Sequence, residues 1–156
     1  WGLPPALDLA KEVALQKALL EMIQAGFVES AKDISEGGIA VTIAEAGFSA
    51  ELGAEVELKS EGQPLECVLF GEDASRILLS CDAVNVSQIS EIALRYGLQA
   101  QTIGKTTQDK LQVNVDGRTV IAGPVSRFKE SWASALVKAL HVETPEQLVP
   151  QVLEKS

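Results

Sequence analysis

The sequence contains few of the residues that crosslink proteins or bind metals. Among 156 residues there are two cysteines and one histidine, and only 4% of the residues are aromatic. Cys67 and Cys81 do not form a Cys-x-x-Cys pair, so we interpret them as free thiols and expect a cytoplasmic protein. We interpret His141 as a surface residue beside a helix C-terminus, where the helix dipole favours it.

Long apolar runs and an excess of basic residues are also absent. No apolar run approaches the ~20 residues that a membrane-spanning helix needs, and the first residues do not resemble a signal peptide. Thirteen basic and 22 acidic residues give a formal net charge of −9, which disfavours binding to nucleic acid or to an anionic membrane. We therefore expect neither partner, although this charge is compatible with a local basic pocket for a small anion.

An initiator methionine is lacking as well, since the chain opens at Trp1 and its only methionine is Met22. We interpret the sequence as a piece of a longer polypeptide. Its length suits one domain that needs no disulfide or metal to stabilise its core. We predict this domain over residues 1–142, followed by a tail or short helix over 143–156, where Thr144 and Pro145 are typical of a helix start.

Hydrophobic spacing predicts several helices. The second helix begins at the glycines near position 37 and ends near position 47. Three further helices are predicted over residues 65–70, 85–96 and 125–140. In the last helix we interpret Trp132 as a core anchor. The first helix spans about 18 residues, and we expect its regularly spaced apolar side chains to face the core: Leu9, Val13, Leu20, Ile23 and Phe27.

Strands alternate with these helices. Asp116 and Gly117 predict a hairpin turn between strands at 111–115 and 119–121. The run at 77–79 predicts a strand buried on both faces, and further strands are predicted at 28–31, 54–58 and 98–103. The order of elements predicts an α/β (α+β) domain in which helices cover one mixed sheet.

Two adjacent glycines stand directly before the second helix, in the stretch Asp33-Ile-Ser35-Glu36-Gly37-Gly38. Asp33 or Ser35 can cap the helix, and the glycines leave backbone amides bare for an anion. The alternative interpretation is that the glycines permit close packing of the helix on the sheet. Asp33 and Glu36 could also hold a metal or a ribose hydroxyl, but two carboxylates without a third ligand are weak grounds, so we predict no metal site.

A second motif, Leu69-Phe70-Gly71-Glu72-Asp73-Ala74-Ser75-Arg76, leads into a predicted strand. A pair formed by Glu72 and Arg76 could orient a loop or meet a phosphate. The alternative is a structural salt bridge that pins the turn. Lys105, in Gly104-Lys105-Thr106, is a modest candidate for an anion contact, although an exposed lysine is the usual interpretation in a turn.

These motifs resemble those of the phosphoribosylformylglycinamidine synthase family. The stretch from Asp33 to Val41 is similar to the family's D-V-S-D-G-G-L-A-V, and the Leu-Phe-Gly-Glu segment ending at Glu72 is similar to its L-F-G-E-S-x-x-R. Trp132 resembles a tryptophan of the family's closing helix, and the elements span nearly the whole chain. The resemblance implies the C-terminal domain of the aminoimidazole ribonucleotide synthetase-like superfamily.

The resemblance further implies an ATP-dependent ligase in purine biosynthesis. Such an enzyme amidates formylglycinamide ribonucleotide with ammonia that a glutamine amidotransferase subunit or domain supplies. ATP and Mg²⁺ would be bound mainly by an N-terminal domain outside this sequence, so we expect this chain to be inactive without the rest of the synthetase. No catalytic residue is assigned. The implied substrate- or phosphate-binding residues are Asp33, Ser35, Glu36, Gly37 and Gly38, with Lys32, Glu72 and Arg76 in support.

Three positions depart from the family pattern. Lys32 stands where the family often has histidine, Glu36 where it commonly has aspartate, and Asp73 where it commonly has serine. The lysine adds a positive charge beside the glycines, which suits an anion.

Two alternatives stay open at this point. The domain could be a noncatalytic scaffold, with its glycine turn empty or holding a structural nucleotide. It could also belong to a related ATP-using enzyme, such as aminoimidazole ribonucleotide synthetase, selenophosphate synthetase or thiamine-phosphate kinase.

Overall fold

The computed structural model describes residues 7–140, which form five α-helices and six β-strands. A 3-10 turn, Ala83–Asn85, precedes the fourth helix. The helices are α1 (Leu9–Gln24), α2 (Gly38–Phe48), α3 (Leu65–Phe70), α4 (Val86–Arg95) and α5 (Val125–Leu140). The strands are β1 (Ser30–Asp33), β2 (Gly53–Leu58), β3 (Ile77–Ser80), β4 (Gly104–Thr107), β5 (Lys110–Val115) and β6 (Arg118–Pro124). His141 and residues 143–156, for which a tail or helix was predicted, lie outside the described residues.

The larger sheet has four strands in the order β4-β2-β5-β6. Strands β2 and β5 are parallel, whereas β2–β4 and β5–β6 are antiparallel, so the sheet is mixed as expected. The predicted hairpin is confirmed: Asp116 and Gly117 both have positive φ, +50° and +76°, as the turn between twisted strands requires. Helices α2 and α5 supply the apolar side chains that pack against this sheet.

A separate two-stranded ribbon corrects the prediction of a single sheet. Strand β1 pairs only with β3 among the described strands, antiparallel, with Ser30 opposite Ser80 and Asp33 opposite Ile77. Every residue of β3 is half-buried, so the expectation of a strand buried on both faces was wrong. An apolar run indicates burial, but β3 has a strand on one side only. It is therefore less enclosed than a strand at the centre of a larger sheet.

The apolar side chains form two clusters rather than one. The larger lies between α2, α3, α5 and the four-stranded sheet, and Val113 at its centre is fully buried. The smaller lies between α1 and α4, where Ala18 and Met22 meet Ile89 and Ile92. The ribbon contributes to both clusters, because Leu78 packs against the larger one and Leu79 against the smaller one.

The predicted inner face of α1 is its outer face. Its buried residues are Ala18 and Met22, whereas four of the five apolar residues expected in the core are 47–69% exposed. Periodicity established that α1 carries an apolar stripe, but the helix packs on α4 through Ala18 and Met22, which lie on its other side. The exposed residues are Leu9, Val13, Leu20 and Ile23, while Phe27 is half-buried.

Two further expectations need correction. Residues 98–103 are not a strand: Leu98 packs with the smaller cluster and Ile103 with the larger one, so the segment crosses between them. Trp132 is 59% exposed, and its ring lies against that of Phe48, with 5.8 Å between the ring centroids. It is therefore a rim contact rather than a core anchor. No helix within residues 7–140 is long and apolar enough to cross a bilayer.

Candidate functional site

The two motifs singled out in the sequence meet in space. The backbone N–H of Gly37 donates a hydrogen bond to Glu72 Oε1 over 2.8 Å, although the two residues are 35 positions apart. Close to this contact, Gly38 packs against the backbone of Phe70 at the end of α3. We call residues 35–38 the glycine corner. The start of α2 and the end of α3 are thus held together at this corner.

The backbone makes the corner by turning through two left-handed residues. Gly37 is the N-cap of α2 with φ +80°, and Gly38 follows with φ +63°. Neither Asp33 nor Ser35 caps the helix through its side chain, which corrects the prediction. Instead the main-chain carbonyl of Ser35 accepts from the Gly38 N–H over 3.0 Å, because the left-handed turn brings that carbonyl back over the helix start.

Both glycines are required by space as well as by φ. A Cβ at Gly38 would lie 2.6 Å from Phe70 Cα, and one at Gly37 would lie 2.5 Å from Val41 Cγ2. The close-packing interpretation therefore applies to Gly38, although its neighbour is the end of α3 rather than the sheet. Left-handed backbone costs a non-glycine residue about 1–2 kcal/mol even before such contacts.

The amides of the two glycines are not bare, contrary to the expectation. The Gly37 N–H is bonded to the Glu72 carboxylate and the Gly38 N–H to the Ser35 carbonyl. A carboxylate at a helix N-terminus is favoured by the helix dipole for the same reason that a phosphate is. Glu72 thus occupies one position that a bound anion would take, and an anion there must replace it.

The charged residues near the corner are paired with other side chains. Lys32 Nζ lies 2.9 Å from Glu45 Oε2, and this hydrogen bond raises the pKa of Lys32. Arg76 Nη1 lies 3.9 Å from Asp73 Oδ2. Arg76 therefore forms an ion pair with Asp73 and not with Glu72, as had been predicted. The three exposed side chains of the motif are Asp33, Ser35 and Glu36.

Lys105, the other anion candidate, lies on β4 and is 72% exposed. Its Nζ is 3.2 Å from Glu55 Oε2 on the neighbouring strand. The structure does not bring Lys105 into the contacts that form the glycine corner.

Ser75 and Glu12 were missed in the sequence. Ser75 has a left-handed backbone with φ +60°, and its Oγ donates to Glu12 Oε2 on α1 over 2.7 Å. Hydrogen bonds from Ser75, and then from Gln16, lower the pKa of Glu12. No sequence signal identifies this contact, because a serine at positive φ is not marked by its neighbours. Residues 71–76, which we call the clasp loop, therefore hold both α2, through Glu72, and α1, through Ser75.

Within residues 7–140 no group of three or more histidine, cysteine, aspartate or glutamate side chains could hold a metal ion. Cys67 and Cys81 are free cysteines. The arrangement at the corner can thus offer exposed acids, a hydroxyl and helix-terminal amides to a ligand, but no built metal centre.

Comparison with known proteins gives consistent relatives. The chain is 38% identical over 135 residues to the phosphoribosylformylglycinamidine synthase subunit PurL of Moorella thermoacetica, covering 86% of this chain and 18% of that protein. It is 34% identical over 140 residues to the subunit of the same name in Thermus thermophilus, covering 90% and 19%. The chain therefore spans about a fifth of the length of these curated relatives.

Solved structures of PurL from another organism are also similar to this chain. PurL of Thermotoga maritima complexed with ATP superposes with a TM-score of 0.74 at 26% identity, over 80% of this chain and 23% of that one. The same protein complexed with FGAR gives a TM-score of 0.68 at 26% identity, over 76% and 21%. Residues 2–116 match the family described as AIR synthase related protein, C-terminal domain. The chain belongs to this family.

Proposed function

We propose that this chain is the C-terminal domain of the synthetase subunit of a phosphoribosylformylglycinamidine synthase. The observation that carries the proposal is the similarity to PurL subunits over 86–90% of the chain. The complexes of T. maritima PurL with FGAR and with ATP support these two molecules as the substrates of the complete subunit.

In the proposed reaction, the amide oxygen of formylglycinamide ribonucleotide (FGAR) is first phosphorylated by ATP. Ammonia then adds to the amide carbon that bears this oxygen, and the oxygen leaves as part of phosphate. The products are the amidine, ADP and phosphate. We propose glutamine as the source of ammonia, released by an amidotransferase subunit or domain. The partners of this domain are thus the rest of the synthetase chain, the amidotransferase and the ribonucleotide.

Residues 7–140 do not contain a complete metal site of their own. They contain no cluster of three potential acidic, histidine or cysteine ligands, and Mg²⁺ is usually bound through carboxylates together with the phosphates of its nucleotide. We therefore propose that Mg²⁺ and most of the ATP are bound by the N-terminal domain, outside this chain.

The proposed role of this domain is to present the glycine corner to an anionic part of the substrate. The exposed carboxylates of Asp33 and Glu36 can accept hydrogen bonds from ribose hydroxyl or N–H groups of a docked ligand, whereas the exposed Ser35 hydroxyl can donate one to its phosphate. At the Gly37 amide, an incoming phosphate would exchange with the carboxylate of Glu72. The amide itself is already oriented by the backbone, so the rearrangement needed is the release of the Glu72 side chain.

Lys32 and Arg76 would act indirectly in this proposal. Each of them is near an acid, Glu45 and Asp73 respectively, so its charge is partly neutralised before any ligand arrives. Their proposed contribution is to hold β1 and the clasp loop in position rather than to bind phosphate directly.

A second candidate function is a noncatalytic scaffold. The observation that favours it is that both glycine amides already have acceptors within the domain, Glu72 Oε1 and the Ser35 carbonyl. In that case the corner is a packing device that joins α2 to α3, and its acids have no substrate to contact.

Substitutions of the exposed acids in the complete synthetase chain discriminate the two candidates. Replacement of Gly37 is unsuitable, because its φ of +80° and the contact with Val41 would disturb the fold. We expect Asp33→Asn and Glu36→Gln to lower kcat/KM for FGAR by about tenfold or more, equivalent to about 1.4 kcal/mol of transition-state stabilisation. Activity is measured as ADP release with FGAR, ATP and ammonium.

The matched control is Glu91→Gln, which neutralises an exposed acid on α4, and it should leave kcat/KM unchanged. Melting temperatures of all variants should stay close to that of the parent, because these side chains are exposed. Wild-type rates in both Asp33→Asn and Glu36→Gln would favour the scaffold and contradict substrate binding at the glycine corner.

Two further expectations belong to the same proposal. The 156-residue chain alone should release no ADP from ATP and FGAR, because one wall of a cleft cannot position two substrates. We also propose a cytoplasmic location, which the two free cysteines support. Detectable turnover by the isolated chain would contradict the first expectation.

A further inference from the structure

Helix α1 is apolar on two opposite sides. Its inner side meets α4 through Ala18 and Met22. At 100° per residue, Leu9 and Leu20 lie about 160–180° around the helix from Ala18. We define the outer stripe of α1 as the four exposed apolar side chains on this second side: Leu9, Val13, Leu20 and Ile23, which are 47–69% exposed.

The outer stripe is not typical of a solvated helix face. A surface helix typically buries one apolar stripe and turns charged or polar residues to the opposite side, whereas α1 carries large apolar side chains on both sides. At 1.5 Å per residue the stripe runs along the helix for about 21 Å. Single exposed leucines are ordinary, but four large apolar side chains along one side of a helix, with Gln16 between Val13 and Leu20, indicate an interaction surface.

We propose that the outer stripe is the surface on which another domain of the same polypeptide packs. This inference rests on the proposed function, in which the chain is one domain of a longer synthetase. The chain covers 18–19% of its curated relatives, so most of such a polypeptide lies outside it. The occupant is an apolar surface of that remainder, long enough to cover about four turns of helix.

A second copy of this chain fits the stripe less well. Each chain carries a formal net charge of −9, so a pair of copies would meet like charge. A standard interface between separate proteins buries about 800 Å² on each partner, from roughly 20–30 residues, and the stripe offers four large side chains. A tethered domain needs less area, because its effective concentration is in the millimolar range for short linkers.

Packing on the stripe would also act on the glycine corner. Glu12 adjoins Val13 on α1 and accepts the hydrogen bond from Ser75 in the clasp loop. The same loop contains Glu72, which is bonded to Gly37. Docking of a domain on α1 therefore fixes one end of the loop that holds the corner at its other end.

Hydroxyl-radical footprinting of the complete synthetase chain tests the proposal. We expect Leu9, Val13, Leu20 and Ile23 to be modified at least about tenfold more slowly in the native chain than in urea, as Leu69 should be, since it is 4% exposed. The protection should be the same after a hundredfold dilution. Native rates within about twofold of those in urea, or protection lost on dilution as for a second copy, would overturn the proposal.

Two variants of the complete chain identify the occupant. Removal of residues 141–156 should leave the stripe protected, and exposure there would show that the stripe is covered by those residues instead. Leu20→Glu should raise the modification rates of Leu9 and Val13 at least about fivefold, while Leu69 stays protected. Lys11→Glu, an exposed position about 180° around the same helix from Leu20, is the control and should change none of these rates.

The readout is independent of catalysis, so the two proposals fail separately. A chain that amidates FGAR while its stripe stays reactive overturns the docking surface alone. A protected stripe in a chain that does not amidate FGAR supports the surface and overturns the proposed reaction.

Discussion

Gly37 and Glu72 are joined by a hydrogen bond of 2.8 Å from a backbone amide to a carboxylate. The bond connects the left-handed start of α2 with the clasp loop that follows α3. It makes a structural unit of two motifs that are separate in the sequence, and it decides how open the glycine corner is to an anion.

Removal of the Glu72 carboxylate should expose the Gly37 amide. In Glu72→Ala we expect hydrogen exchange at the Gly37 N–H to accelerate about five- to tenfold, since a hydrogen bond of this kind is worth about 1 kcal/mol net. Glu72→Gln keeps an oxygen acceptor and should give a smaller change. The measurement is amide exchange followed by NMR. The Gly38 amide, bonded to the Ser35 carbonyl, is the internal control, and equal acceleration of both amides would contradict the assignment.

Substitution of Gly38 should destabilise the fold far more than substitution of Gly26. Both have positive φ, +63° and +72°, but a Cβ at Gly38 meets the Phe70 backbone and one at Gly26 meets nothing within 4 Å. We expect Gly38→Ala to lower the free energy of unfolding by about 3 kcal/mol and Gly26→Ala by about 1 kcal/mol. Urea denaturation measures both. Equal losses would mean that the contact with Phe70 relaxes without cost.

The protein should be more stable with glycine at position 75 than with alanine. Both substitutions remove the hydrogen bond to Glu12, but only glycine relieves the left-handed backbone at φ +60°. The relief of about 1–2 kcal/mol is partly offset by the greater entropy of glycine in the unfolded chain. We therefore expect the free energy of unfolding of Ser75→Gly to be about 1 kcal/mol higher than that of Ser75→Ala. The comparison uses urea midpoints, and a more stable alanine variant would contradict it.

The stability of the fold should decline in acid partly through Glu21. Hydrogen bonds from Arg95 and then Tyr96 hold the pKa of Glu21 below its ordinary value, so its folded carboxyl binds a proton more weakly than its unfolded one. Its contribution is therefore present above the unfolded pKa of about 4.3 and is lost as pH falls through the lower folded value.

Melting temperature measured between about pH 3 and pH 7 tests this linkage. The slope of the acid limb should be shallower in Glu21→Gln than in the parent. Tyr96→Phe removes one of the two donors, and it should produce a smaller change of the same sign. An acid limb in Glu21→Gln that matches the parent would contradict the role of this carboxylate.

Local signals in the sequence were sufficient for several elements. The short helix over 65–70 and the hairpin at Asp116 and Gly117 occur where they were predicted, because a helical apolar run and two turn residues act within a few positions. The glycine motif likewise indicated the family. What these signals have in common is that the residues that determine them are neighbours in the chain.

Partners and burial could not be predicted in the same way. Glu72 was paired with Arg76 on the basis of their proximity in sequence, whereas its partner is the amide of Gly37 on another helix. Trp132 was assigned to the core by its spacing, but it lies at the rim against Phe48. Each of these outcomes depends on a segment that lies far away along the chain.

By itself the sequence determined where helices, the hairpin and the glycine turn form, since backbone preference and side-chain periodicity are local properties. Only the tertiary structure decided which side of α1 is buried, because a helix with two apolar sides can pack through either one, and α4 meets the side of Ala18 and Met22. The tertiary structure also decided that a carboxylate occupies the glycine turn, since that contact exists only once α3 has packed against α2.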